Sequence, residues 1–157
     1  MDIPEASQRV VEAAAALGIE IDVHIFPKGT KTSADAAAAI GCDVSAIAKS
    51  IVFMVDGEPV VALASGDHRI DPVRLAAVAG GESARRAGLE EAREATGYAA
   101  GGTPAFGHAT AVRVFADSGL RRNDPVWSAA GTPTTVYPIA PDDLIRASGA
   151  TWADIAG

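Results

Sequence analysis

Lys49 stands just ahead of Ile51-Val52-Phe53-Met54-Val55, an apolar run that closes on Asp56-Gly57. A lone ammonium there has two readings. Either its stem lies on apolar surface and its head reaches water, or it is a point charge at a strand end that meets a phosphate or carboxylate. The second feature is Gly101-Gly102-Thr103-Pro104-Ala105-Phe106-Gly107-His108. Glycines let a backbone approach a ligand, so that N–H groups face an oxygen that turns negative in a transition state. The same composition also makes a plain turn stiffened by Pro104. His108 either orients a neighbour or is an ordinary polar loop residue. The third feature, Ser65 to Pro72, ends one apolar run and opens the next periodic segment. Ser65, Gly66 and Arg69 line a pocket there, or the segment is a surface turn whose Asp71 caps a helix.

Other chemistries lack their residues. His24, His68 and His108 are far apart, no HxH or HExxH spacing occurs, and Cys42 is the one cysteine. No metal site and no cofactor are therefore predicted. Cys42 reads as a small buried hydrophobe, and an internal disulfide is impossible, which suits a reducing compartment. P-loop and dinucleotide patterns are absent. The net charge of -7 opposes non-specific binding to a phosphate backbone, DNA included, while leaving room for a local basic site. Arg85-Arg86 and Arg121-Arg122 read as solvated charges or as contacts to a polyanion. The acidic start lacks the regions of a signal peptide, and no apolar run approaches a membrane span. A cytoplasmic protein is expected.

These residues need elements to position them. With 157 residues, 48% hydrophobic and 21% charged, one domain spanning 1–157 is expected. Spacing and capping signals predict helices over 4–17, within 28–41, over 71–81, 89–96 and 141–149, and short helical turns over 43–49 and 151–155. Alternation or apolar content predicts strands over 19–26, 50–55, 58–65, 110–116, 126–130 and 134–139. Helices fall irregularly between the strands, so strict βαβ alternation fails. The predicted fold is α+β, with a mixed, mostly antiparallel sheet and helices packed around it.

The stretches TSADAAAAIGCDVSAIAKSIVF, SGDHRID, TGYAAGGTPAFGH and AAGTPTTVYPIAPDDLIRASGA occur in an order that resembles the YbaK/prolyl-tRNA editing domain family. The resemblance covers roughly residues 23 to 155. It implies a curled mixed sheet with surrounding helices, and hydrolysis of the ester between a wrong amino acid and a tRNA. It places the family's hallmark lysine on Lys49, in contact with the phosphate of the terminal adenosine. Its glycine-proline loop falls on Gly101 to Gly107, where Gly101, Gly102 and Pro104 hold the carbonyl and shape the pocket. Thr103, Gly107, His108, Ser65, Gly66, Gly131 and Thr132 follow as substrate-binding candidates. The implied partners are the acceptor end of a mischarged tRNA and a synthetase or elongation factor. Ala105 stands where relatives commonly carry proline. The alternative class is a non-catalytic module of the same fold that binds an aminoacyl-nucleotide-like ligand or a synthetase.

Overall fold

The computed structural model describes residues 3–28 and 32–157. Its backbone is one eight-stranded mixed sheet. Helix α1 (Glu5–Ala16) buries Val10 and Ala14. Strand β1 (His24–Ile25) follows, then α2 (Ser33–Ile40), whose N-cap is Thr32, its side chain accepting from the Asp35 N–H. The centre of the loop expected before α2, residues 29–31, lies outside the described residues. A 3₁₀ turn (Val44–Ala46) leads into β2 (Ile47–Val55), which returns through Asp56-Gly57 as β3 (Glu58–Ser65). Gly57 takes a φ of 83°, and Asp56 a φ of 50°, as a tight two-residue hairpin requires.

Helix α3 (Pro72–Ala79) begins on Asp71, whose carboxylate accepts from the N–H groups of Val73 and Arg74. Then come β4 (Ala84–Arg86), α4 (Leu89–Thr96) and β5 (Arg113–Asp117). The chain ends with β6 (Val126–Ala129), β7 (Thr135–Ile139), α5 (Pro141–Ser148) and β8 (Thr151–Ala153). The strand order is β1-β7-β6-β2-β3-β5-β8, with β4 added beside β2. The pairs β1–β7, β2–β3, β2–β4 and β6–β7 are antiparallel, and β2–β6, β3–β5 and β5–β8 are parallel.

Side chains alternate across this sheet. Ala48 and Val52 of β2 join the larger core with Val10 of α1, Ala92 of α4 and Leu144 of α5. Phe53 and Val55 join a second core under Leu75 of α3. Ile47 packs under α2 with Ala36 and Trp127.

Several expectations change in detail: the strand predicted over 110–116 starts only at Arg113, and one strand was not expected. The strand predicted over 19–26 shortens to His24–Ile25, which pair with Val136 and Thr135, and is extended by one bond from the Phe26 N–H to the Thr134 carbonyl at 2.7 Å. Ile19 is buried and Ile21 and Val23 pack against the main core without a ladder, so their alternation signals burial rather than pairing. The helical turn predicted up to Lys49 stops at Ala46, since Ala48 already pairs with Ser65. The last turn is β8, which completes the parallel edge against β5. Strand β4 carried no alternation to announce it, and it forms by pairing with the end of β2.

Candidate active site

Strand β2 is paired along one side by β3 from Ala48 to Val55. Its other side is shared. Strand β6 takes Ile47 and Ala48, and β4 takes Phe53 to Val55. Between them lies a gap over Lys49 to Val52, bridged by a bond from the Ala87 N–H to the Val52 carbonyl at 2.9 Å. Lys49 is therefore the third residue of a central strand, exposed because the sheet opens beside it.

Three cavities meet at this gap, and Lys49 lines all of them. The smallest, about 60 Å³, lies among Ser33, Ala36, Ile47, Trp127 and Ala129, with Gly101 and Thr103 at its edge. A groove of about 500 Å³ runs along the face of Lys49, Ile51 and Phe53 to Arg69, Pro72 and Arg86. A third cavity, about 300 Å³, is bounded by Ser50, Ala87, Ala92, Gly101 and Thr103.

The glycine loop supplies two backbone donors to this place. The Gly102 N–H is taken by the Ala99 carbonyl at 3.1 Å. The N–H groups of Gly101 and Thr103 make no hydrogen bond among the described residues, and both residues line the small cavity and the third. The Thr103 hydroxyl donates to the Ala99 carbonyl at 3.2 Å. Gly101 has a φ of 89°, which a side chain would strain.

The remaining loop candidates stand behind this surface and line none of the three cavities. Gly102 is pressed against Thr132, whose Cα would lie 2.6 Å from a β-carbon there. Pro104 is buried, and its carbonyl accepts from His108 Nε2 at 2.8 Å. Burial holds the His108 imidazole below its ordinary value, against a smaller opposing effect of that bond. This favours the neutral ring that braces Pro104. Gly107 abuts Ala13 of α1, and Gly131 the Ala6 carbonyl. Thr132 bonds Thr135 through their hydroxyls at 2.7 Å. Ala105 is fully buried in the main core.

Ser65 and Gly66 line the large groove. A β-carbon on Gly66 would lie 2.3 Å from the Val44 carbonyl oxygen, so glycine lets the 3₁₀ turn close over β3. Ser65 Oγ lies 2.8 Å from both the Ser45 carbonyl and Asp67 Oδ1, and accepts from Arg122 Nη2 at 2.8 Å. Arg122 also grips Asp67, and that hydrogen bond holds the Asp67 carboxyl well below the usual carboxylate range. Buried Asp117 accepts from the Ser65 N–H at 3.1 Å and the Gly119 N–H at 2.9 Å, and meets His68 Nδ1 at 2.7 Å. The Ser65–Asp71 turn is thus clamped from within.

Ser50 was not among the expected residues. Its hydroxyl oxygen is buried with no hydrogen-bond partner among the described residues, and the residue as a whole lines the small cavity and the third. The available signal was a hydroxyl at the start of an otherwise apolar strand. Trp127 and Ala129 carried none, and Arg86 was visible only as one of a pair of charges that read as solvated or as contacts to a polyanion. Burial pushes the Cys42 thiol up, which disfavours a nucleophilic thiolate. Among the described residues no cluster of His, Cys, Asp and Glu is placed to hold a metal ion, and no helix is long and apolar enough to cross a membrane.

The site so built has Lys49 where three cavities meet, two loop residues whose N–H groups have no partner among the described residues, and a small cavity, which together suit binding an anion beside a carbonyl. The sequence matches the model of the aminoacyl-tRNA editing domain over residues 27–147. It is 33% identical to the uncharacterized protein YwhH of Bacillus subtilis over 138 residues, 87% of each chain. It is also 33% identical over 115 residues to a proline–tRNA ligase of Nitratidesulfovibrio vulgaris, covering 73% of this chain but 19% of the ligase. Among solved structures, one proposed to be a trans-editing enzyme for prolyl-tRNA synthetase superposes with a TM-score of 0.93 at 34% identity, over 99% of both chains. The hypothetical protein APE2540 superposes with a TM-score of 0.87 at 29% identity, over 95% of this chain and 99% of its own. The chain belongs to the aminoacyl-tRNA editing domain family.

Proposed function

We propose that this protein is a trans-acting deacylase that hydrolyses the ester of a mischarged aminoacyl-tRNA of the prolyl type. The observation that carries this reading is the position of Lys49, in the gap of β2 where all three cavities meet, next to the free N–H groups of Gly101 and Thr103. The ammonium pairs with the phosphate of the terminal nucleotide. The aminoacyl group enters the small cavity, whose volume of about 60 Å³ compares with roughly 10–15 Å³ for one water. That admits the side chain of alanine, serine or cysteine.

The chemistry needs positioning more than reactive side chains. A water attacks the ester carbonyl, and the oxygen that becomes negative accepts from the N–H groups of Gly101 and Thr103. The bond to the ribose oxygen then breaks, and the proton from the attacking water ends on that oxygen. The neighbouring ribose hydroxyl is placed to relay it. Holding water and ester together in a closed site supplies the rest of the acceleration.

A panel of labelled aminoacyl-tRNAs, led by Ala-, Cys- and Ser-tRNA(Pro), tests the reading by ester loss. Release of one or a few small amino acids, slowed by about tenfold or more in Lys49→Ala, is the expected result. An intact panel would sink the deacylase and leave a binding module on the same fold.

A further inference from the structure

Carboxylates outnumber lysines and arginines in this chain by 20 to 13, so most cations find a partner. Arg74, Arg85, Arg122 and Arg146 sit in ion pairs with acidic side chains. Arg9, Arg113 and Arg121 lie over aromatic rings. Lys28, Lys49, Arg69, Arg86 and Arg93 do neither among the described residues, and of these Lys49, Arg69 and Arg86 line the large groove, whose lining contains no acidic residue. Three unpaired cations converging on one groove of an acidic protein are left open for an anion from outside.

Their arrangement describes that anion. Arg86 pairs with Phe53 across β2–β4, which puts it on the Lys49 face of the sheet and four residues further along. At about 3.3 Å per residue this is roughly 13 Å of strand, a spacing that suits a chain of phosphates better than a single one. Arg69 lines the groove from the turn whose Ser65 is held by Asp117 and Arg122, so its backbone is already fixed. Between the cations lie Ile51, Ile70 and Pro72, an apolar floor for riboses and bases. The groove is about 500 Å³ and open along the strand.

We propose that this groove is a track for the phosphodiester backbone of single-stranded RNA behind the nucleotide that carries the ester, with Arg69 and Arg86 as its contacts beyond Lys49. This rests on the deacylase reading and extends it from one nucleotide to several.

The test is a fluorescence anisotropy titration of an uncharged, labelled RNA oligonucleotide with the sequence of a tRNA 3′ end. Three phosphate contacts on a single strand give a slope of about -2 for log affinity against log salt. The Arg69→Gln/Arg86→Gln double variant is expected to flatten it to about -0.7. Arg93→Gln, a change at an exposed cation that lines none of the three cavities, is expected to keep the original slope. A double variant that titrates like the wild type overturns the track. So does equal weakening in Arg93→Gln, or displacement of the RNA by polyglutamate at matched charge. Ester loss from charged tRNA is followed separately, so a failed track with intact hydrolysis is distinct from a failed deacylase.

Discussion

The backbone of Thr132 passes so close to Gly102 that a β-carbon on the glycine would stand 2.6 Å from the Thr132 Cα and 2.7 Å from its nitrogen. These are backbone atoms, so no rotamer change relieves the clash. The contact fixes the height of the glycine loop over the gap in β2, and with it the positions of the Gly101 and Thr103 N–H groups. Gly102→Ala should therefore lower stability by about 1–3 kcal/mol in urea unfolding and depress hydrolysis as well. An alanine variant with unchanged stability would mean that the two loops yield independently.

The Lys49 side chain is exposed and makes no hydrogen bond or ion pair among the described residues. Lys49→Ala should leave stability within about 0.5 kcal/mol. If the ammonium meets a substrate phosphate, kcat/KM should fall by roughly tenfold to a hundredfold, the usual worth of a hydrogen bond to a charged group. Thermal melts and single-turnover deacylation separate the two quantities. A melting temperature that falls while activity persists would make Lys49 a packing residue.

Local signals made much of this legible in the sequence. Asp71-Pro72 announced α3 and Asp56-Gly57 the β2–β3 hairpin, because caps and turns are decided by neighbouring residues. Lys49 and the Gly101 loop were visible as chemistry out of place. What stayed hidden depends on distant partners. Arg86 joins the groove because β4 pairs with the end of β2, and Trp127 walls the small cavity because β6 pairs with its start. Neither pairing leaves a trace in the residues themselves. The resemblance implied that Gly102 and Pro104 hold the carbonyl and shape the pocket, and that His108 and Gly131 bind substrate. The structure puts them behind the loop, where the same residue types permit close backbone approach.

Asp67 gives the protein an acid-sensitive clasp. Its carboxyl, ordinarily near 3.8, is held well below that chiefly by the Arg122 hydrogen bond. A depressed carboxyl contributes stability that is full above its ordinary value and is lost as pH falls through the folded one. Asp67→Asn should melt at a lower temperature than the wild type at about neutral pH, and the difference should shrink on acidification below about pH 4. Circular dichroism melts across that range read the effect directly. A gap between the two proteins that stays constant with pH would remove Asp67 as its source.

The buried hydroxyl of Ser50 separates stability from function with a single atom. Ser128 and Tyr137 are also buried without a bond of good geometry, yet they face each other across β6–β7. Ser50 has no such neighbour, and the residue lines the cavity where the aminoacyl group is proposed to sit. An unsatisfied buried hydroxyl costs about 1–3 kcal/mol, so Ser50→Ala should leave the free protein equally stable or up to about 1 kcal/mol more so. The same change should reduce kcat/KM on the small aminoacyl esters, since the hydroxyl finds its partner only when substrate or the attacking water is present. Urea unfolding and deacylation measured on one preparation give both numbers. A variant that loses stability while keeping full activity would make Ser50 a structural hydroxyl and take it out of the site.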